Sequence, residues 1–107
     1  MASWNGSTLT TLNFIQRKGR LEKLVAEVEI VFGPNGGILS GMKLVGLCIW
    51  KSDEGRLFVT LPARVGKGGR YFDYLRPAMP GNRTTEAFKD EVLRQWEASQ
   101  GAAGSEG

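Results

Sequence analysis

Residues 21–32 read Leu-Glu-Lys-Leu-Val-Ala-Glu-Val-Glu-Ile-Val-Phe and are followed at once by Gly33-Pro34-Asn35-Gly36-Gly37. In the first run Leu24, Ala26, Val28, Ile30 and Phe32 alternate with Lys23, Val25, Glu27, Glu29 and Val31. A period of two puts one set on each side of a pleated strand, so this is the clearest strand in the chain. The glycine-rich cluster after it supplies positive-φ and fixed-φ positions for a reversal, which predicts a hairpin into a second antiparallel strand.

Working outward, residues 8–15 are rich in Thr and apolar side chains and read as a strand, closed by a polar turn at Arg17, Lys18 and Gly19. On the other side of the hairpin, residues 39–51 do not alternate cleanly. Met42, Leu44, Cys48 and Trp50 share one face, and Val45, Leu47 and Ile49 the other. Such a strand is expected to be covered on both sides, and with one good helix in the chain the second cover, over Val45, Leu47 and Ile49, is expected from another subunit that pairs through 39–51. The turn Ser52-Asp53-Glu54-Gly55 leads to a strand at 57–61 that Pro62 ends. A Gly-rich loop at 66–69 leads to a fifth strand at 70–76, closed by Pro77.

After Pro80-Gly81-Asn82, either Thr84 or Thr85 can cap a helix that has Glu86 in its first turn and ends near Gln100 before Gly101. Phe88, Val92, Leu93 and Trp96 form its apolar arc, with the Lys89 stem lying flat among them. The expected fold is therefore α+β: an antiparallel β meander of about five strands with one C-terminal helix packed on the sheet. Residues 8–100 are the expected single domain, between flexible ends at 1–7 and 101–107.

Composition bounds the function. The chain has 107 residues, of which 41% are hydrophobic and 23% charged, an ordinary globular balance. The charge-free stretch 30–42 is 13 residues long and broken by Gly33, Pro34, Gly36 and Gly37, too short to span a bilayer. Residues 1–7 lack the basic flank and apolar run of a secretory signal, and a single cysteine forms no internal disulfide, so a cytoplasmic protein is expected. There is no histidine, which removes the commonest general base and metal ligand and leaves Cys48 without an activating imidazole. An enzyme, a cofactor and a small-molecule substrate are accordingly not expected.

The charge is unevenly spread. Residues 56–83 carry six cations against Asp73 alone, while residues 84–100 carry Glu86, Asp90, Glu91 and Glu97 against Lys89 and Arg94. Gly66-Lys67-Gly68-Gly69 lacks the spacing and the strand-helix context of a phosphate loop, and reads as a hairpin tip bearing one lysine. Asp53 and Glu54 are adjacent turn residues that point apart into water. Asp73 is expected to orient Arg64, Arg70 or Arg76 by a charge-assisted hydrogen bond. What stands out is a basic segment interleaved with rings: Phe58, Arg64, Lys67, Arg70, Tyr71, Phe72, Tyr74 and Arg76. Cations contact phosphates, and exposed rings stack on unpaired bases. By alternation Tyr71 and Phe72 lie on opposite faces, so one is expected to be buried and the other available.

At these residues the chain resembles the sporulation and septation regulator SpoVG family. The likeness covers residues 39–98 and rests on three blocks: Gly55-x-Leu57-Phe58-Val59-x-Leu61-Pro62; an aromatic residue, Asp73 and Pro77 within Tyr71-Phe72-Asp73-Tyr74-Leu75-Arg76-Pro77; and Asp90-x-Val92-Leu93-x-x-Trp96. The first 38 residues match only as two strands. The resemblance implies a bacterial, cytoplasmic regulator that binds DNA or RNA as a homodimer built through an exchanged or shared hairpin. In that family two basic residues after the Pro-x step engage nucleic acid. Arg64 matches the first, whereas Val65 stands at the second, with Lys67 and Arg70 as substitutes; Arg83 also matches a basic family position. The expected nucleic-acid-binding set is therefore Arg64, Lys67, Arg70, Tyr71, Phe72, Arg76 and Arg83. The competing expectation is a dimeric protein-interaction module whose basic loops meet an acidic partner.

Overall fold

The computed structural model describes residues 10–16, 22–79, 81 and 83–106. The protein is α+β. Strands β1 (Thr10–Ile15), β2 (Leu24–Phe32), β3 (Lys43–Lys51) and β4 (Leu57–Thr60) form an antiparallel meander in the order β1-β2-β3-β4. Strands β5 (Ala63–Val65) and β6 (Tyr71–Asp73) form a separate two-stranded hairpin, and helix α1 (Thr84–Glu106) lies against the large sheet on β4 and β1. The expected fifth strand is thus not a fifth member of the meander. Pro62 cannot donate to a ladder, the chain turns away there, and residues 63–65 form an additional strand that pairs with 71–73. The expected ends at 1–7 and the turn at Arg17, Lys18 and Gly19 lie outside the described residues.

The alternation of β2 holds: Ala26, Val28 and Ile30 are buried. The irregular pattern of β3 has a physical cause, a bulge. Val28 pairs with Leu47 but Ile30 pairs with Leu44, so three steps on β3 oppose two on β2. Gly46 sits in the bulge at φ +104°, where an L side chain is strained, and a Cβ there would approach Pro62 Cβ to 3.0 Å. The extra residue switches the phase of the strand. Leu44 joins Leu47 and Ile49 on the face over Ile30, Val28 and Ala26, and Val45 is left exposed. The expectation that Leu47 and Ile49 line a face covered by another subunit is corrected here, since both are fully buried in the core of the single chain. A second irregularity pairs Leu24 with Trp50 and Ala26 with Ile49, so Val25 rather than Leu24 packs against the core.

Helix α1 covers this face. Val92 is fully buried, Trp96 nearly so, and Phe88 and Leu93 pack partly buried beside them. The Trp96 ring meets Phe14 edge to face at 5.4 Å between centroids. Gln95 is also buried, its amide nitrogen donating to Glu91 Oε2 at 2.8 Å. The helix begins at Thr84, and the Ala87 amide donates to the Arg83 carbonyl at 3.0 Å. It also runs past Gly101 to Glu106, because glycine weakens a helix by only about 1 kcal/mol and breaks no backbone hydrogen bond. No helix among the described residues is long and apolar enough to cross a membrane.

Candidate nucleic-acid interface

The β5–β6 hairpin holds five of the seven expected residues. Arg64 pairs with Phe72, Val65 with Tyr71 and Ala63 with Asp73. The ladder continues beyond the strands, where the Gly66 amide donates to the Arg70 carbonyl at 2.7 Å. A one-turn 3-10 helix, Lys67–Gly69, then closes the tip with Gly68 and Gly69 at positive φ. At the base the Tyr74 amide donates to the Pro62 carbonyl at 2.7 Å.

Because alternate residues of a strand face opposite ways, the hairpin has two unlike sides. One carries Arg64, Gly66, Arg70 and Phe72. The Phe72 ring lies over Gly66 so closely that a Cβ there would come within 2.3 Å of Cε2. Both guanidinium groups sit over the same ring, Arg64 at 5.2 Å and Arg70 at 5.9 Å from its centroid. A stacked guanidinium keeps its N–H edges available, so the ring holds two cations ready for phosphate oxygens instead of consuming their hydrogen bonds. Lys67 is exposed at the tip of the same loop.

The other side carries Tyr71 and Asp73. The expected pairing of Asp73 with an arginine is absent among the described residues, because the register sets Asp73 on the side opposite Arg64 and Arg70. Neither face of β6 is buried either: Tyr71 is 75% exposed and Phe72 38%, in contrast to the expectation that one would lie in the core. Among the described residues no layer packs over the hairpin.

Arg76 and Arg83 stand elsewhere. Arg76 lines a small apolar cavity of about 240 Å³ together with Leu75, Thr84 and Phe88, at the start of α1. Arg83 is ion-paired with Glu86 at 2.7 Å at the same end of the helix. The sequence thus groups seven residues that the fold divides into a hairpin set and a helix-end pair.

Beside the Tyr71 side of the hairpin runs an open groove of about 720 Å³, lined among others by Trp50, Phe58, Tyr71, Asp73, Tyr74 and Lys89. Trp50 was not singled out by sequence. Counting outward from the turn at 52–56 pairs Lys51 with Leu57 and Trp50 with Phe58, and that was the available signal. The Trp50 indole donates to Thr60 Oγ1 at 2.8 Å, which fixes the ring on the sheet face away from α1. Cys48 also lines the groove. Burial, with the Glu27 carboxylate opposite it adding to the effect, holds its thiol above the ordinary range. Among the described residues no cluster of His, Cys, Asp and Glu is placed to hold a metal ion. No family model, curated protein or solved structure matches the chain.

Proposed function

We propose that the protein is a nucleic-acid-binding regulator of the SpoVG type, cytoplasmic and without catalytic activity, that acts as a homodimer through the β5–β6 hairpin. The observation that carries this reading is the pair Arg64 and Arg70 stacked on one ring with Lys67 at the tip, three cations on a protruding loop with no acidic partner among the described residues. A structural salt-bridge network would have spent those charges. Two-fold pairing would double the set.

The dimer part of the reading is supported by large apolar side chains left in water on the β2–β3 connection and the bulge: Ile38, Leu39, Met42 and Val45. All but Ile38 belong to the stretch 39–51 expected to make the dimer, although the residues expected to carry it, Leu47 and Ile49, lie inside. Replacing Ile38 and Met42 together by Asp is expected to halve the mass measured by light scattering without lowering the melting temperature. A wild-type monomer at micromolar concentration would remove the dimer from the proposal.

Gel retardation of DNA and RNA over a salt series tests the function. Neutralised phosphates release counterions, so log K falls with log salt by about 0.7 per contact on single strands and about 0.9 on duplex. Replacing Arg64, Lys67 and Arg70 by Ala is expected to weaken binding to every sequence and to flatten the slope by about 2 per chain. A triple variant that kept affinity and slope would put the acidic-protein partner ahead.

A further inference from the structure

The groove between the large sheet and the hairpin has the chemistry of a base-binding site. Four rings border it, and three of them stand well into solvent: Tyr71 at 75%, Tyr74 at 65% and Phe58 at 45% exposure. The fourth, Trp50, is oriented by its bond to Thr60. None of these three exposed rings belongs to the core, and the only cation lining the groove among the described residues, Lys89, comes from α1. Among the described residues Asp73 is the one acidic group in the lining, and its carboxylate has no partner. A carboxylate that only accepts hydrogen bonds fits a ligand edge that donates them.

From this we propose that the groove takes an unpaired base of a single-stranded nucleic acid, with the rings stacking on it and Asp73 favouring bases that carry an amino group. The proposal rests on the nucleic-acid reading of the hairpin and adds to it the form of the ligand. The two sides of β6 supply the argument. Phosphate-binding cations are on the Phe72 side and rings on the Tyr71 side, so the ligand must pass over the hairpin edge and turn a base into the groove. A flexible single strand makes that turn, whereas a duplex would first have to unstack and unpair. Cytosine offers its N4 amino group to a carboxylate, and thymine has no amino group to offer.

Fluorescence anisotropy with labelled oligo(dC), oligo(dT) and a blunt duplex, each of about 12 nucleotides or base pairs, tests this on the whole chain. Tyr71→Leu is expected to weaken binding to both single strands about tenfold, the loss of one stacking contact, with the duplex affinity and the salt slope unchanged. Tyr74→Leu, at a second exposed ring, is expected to act the same way. Asp73→Asn is expected to shrink the preference for oligo(dC) over oligo(dT) several-fold, a ratio that a general change in charge would leave alone. The proposal is overturned if both ring variants bind single strands as the wild type does, if they lose duplex binding equally, or if either converts a dimer to a monomer, which would give the groove to a second copy. In the first two cases a retained dependence on Arg64, Lys67 and Arg70 leaves the hairpin reading standing. Wild-type protein that binds none of the three probes removes both.

Discussion

The four-stranded sheet and the β5–β6 hairpin are both antiparallel β-structure, yet they are held by different forces. The sheet buries Ala26, Val28, Ile30, Leu47, Ile49 and Val59 beneath Val92 and Trp96, so its order is a matter of packing. In the hairpin no residue of β5 or β6 is buried, and its order comes from ladder bonds, the glycine tip and one ring shared by two arginines. The difference teaches where ligand chemistry is available. Side chains under a helix are committed to each other, while those on an uncovered hairpin keep their rings and charges for something else.

The comparison can be broken most severely from the core side. Trp96→Ala removes a buried ring and its edge contact with Phe14, and is expected to lower unfolding free energy by about 3–5 kcal/mol in denaturant titration. Glu97→Ala, exposed one position on, is expected to change almost nothing. If the two shifts were equal and small, the helix would not be docked and the packed half of the contrast would fail.

Next in size is the bulge. Gly46→Val places a branched side chain at positive φ and against Pro62, and is expected to cost about 1–3 kcal/mol by thermal melting. The hairpin should behave differently. Phe72→Ala is expected to cost less than about 1 kcal/mol of global stability while loosening both guanidiniums, so nucleic-acid affinity falls with the melting temperature nearly unchanged. A large drop in stability would mean that the hairpin belongs to the cooperative core.

The smallest effect concerns Cys48. Its folded-state pKa is raised, so the folded chain keeps a proton that the unfolded chain releases, and the associated stability is complete below the ordinary thiol range and lost as pH climbs through the raised value. At pH 8 the thiol is expected to react with iodoacetamide more slowly than a free cysteine, and unfolding in urea is expected to restore the ordinary rate. Equal rates in both states would place the thiol in open water.

Much of the fold was legible in the sequence because β2 alternates from Ala26 to Ile30 and the arc Phe88, Val92, Leu93 and Trp96 has helical spacing. Periodicity failed where the backbone itself breaks period. A bulge adds one residue and exchanges the faces on its two sides, so Leu44, read opposite Leu47 and Ile49, joins them in the core and Val45, read beside them, turns out to water. Within the candidate site, Arg64, Lys67 and Arg70 were legible because they flank a glycine tip. Alternation also separated Tyr71 from Phe72, but which of the two faces the groove, and the removal of Arg76 and Arg83 to the helix end, depend on which elements pack together. No local pattern encodes that.

The base of the hairpin, where the Tyr74 amide meets the Pro62 carbonyl, joins a part that tolerates change to a part that does not. No residue of β5 or β6 is buried, so substitutions, insertions and charge changes at the tip are expected to leave folding almost untouched. With the hairpin as the proposed binding element, selection could then retune its ligand preference step by step, without each step having to be rescued by a compensating change beneath the helix.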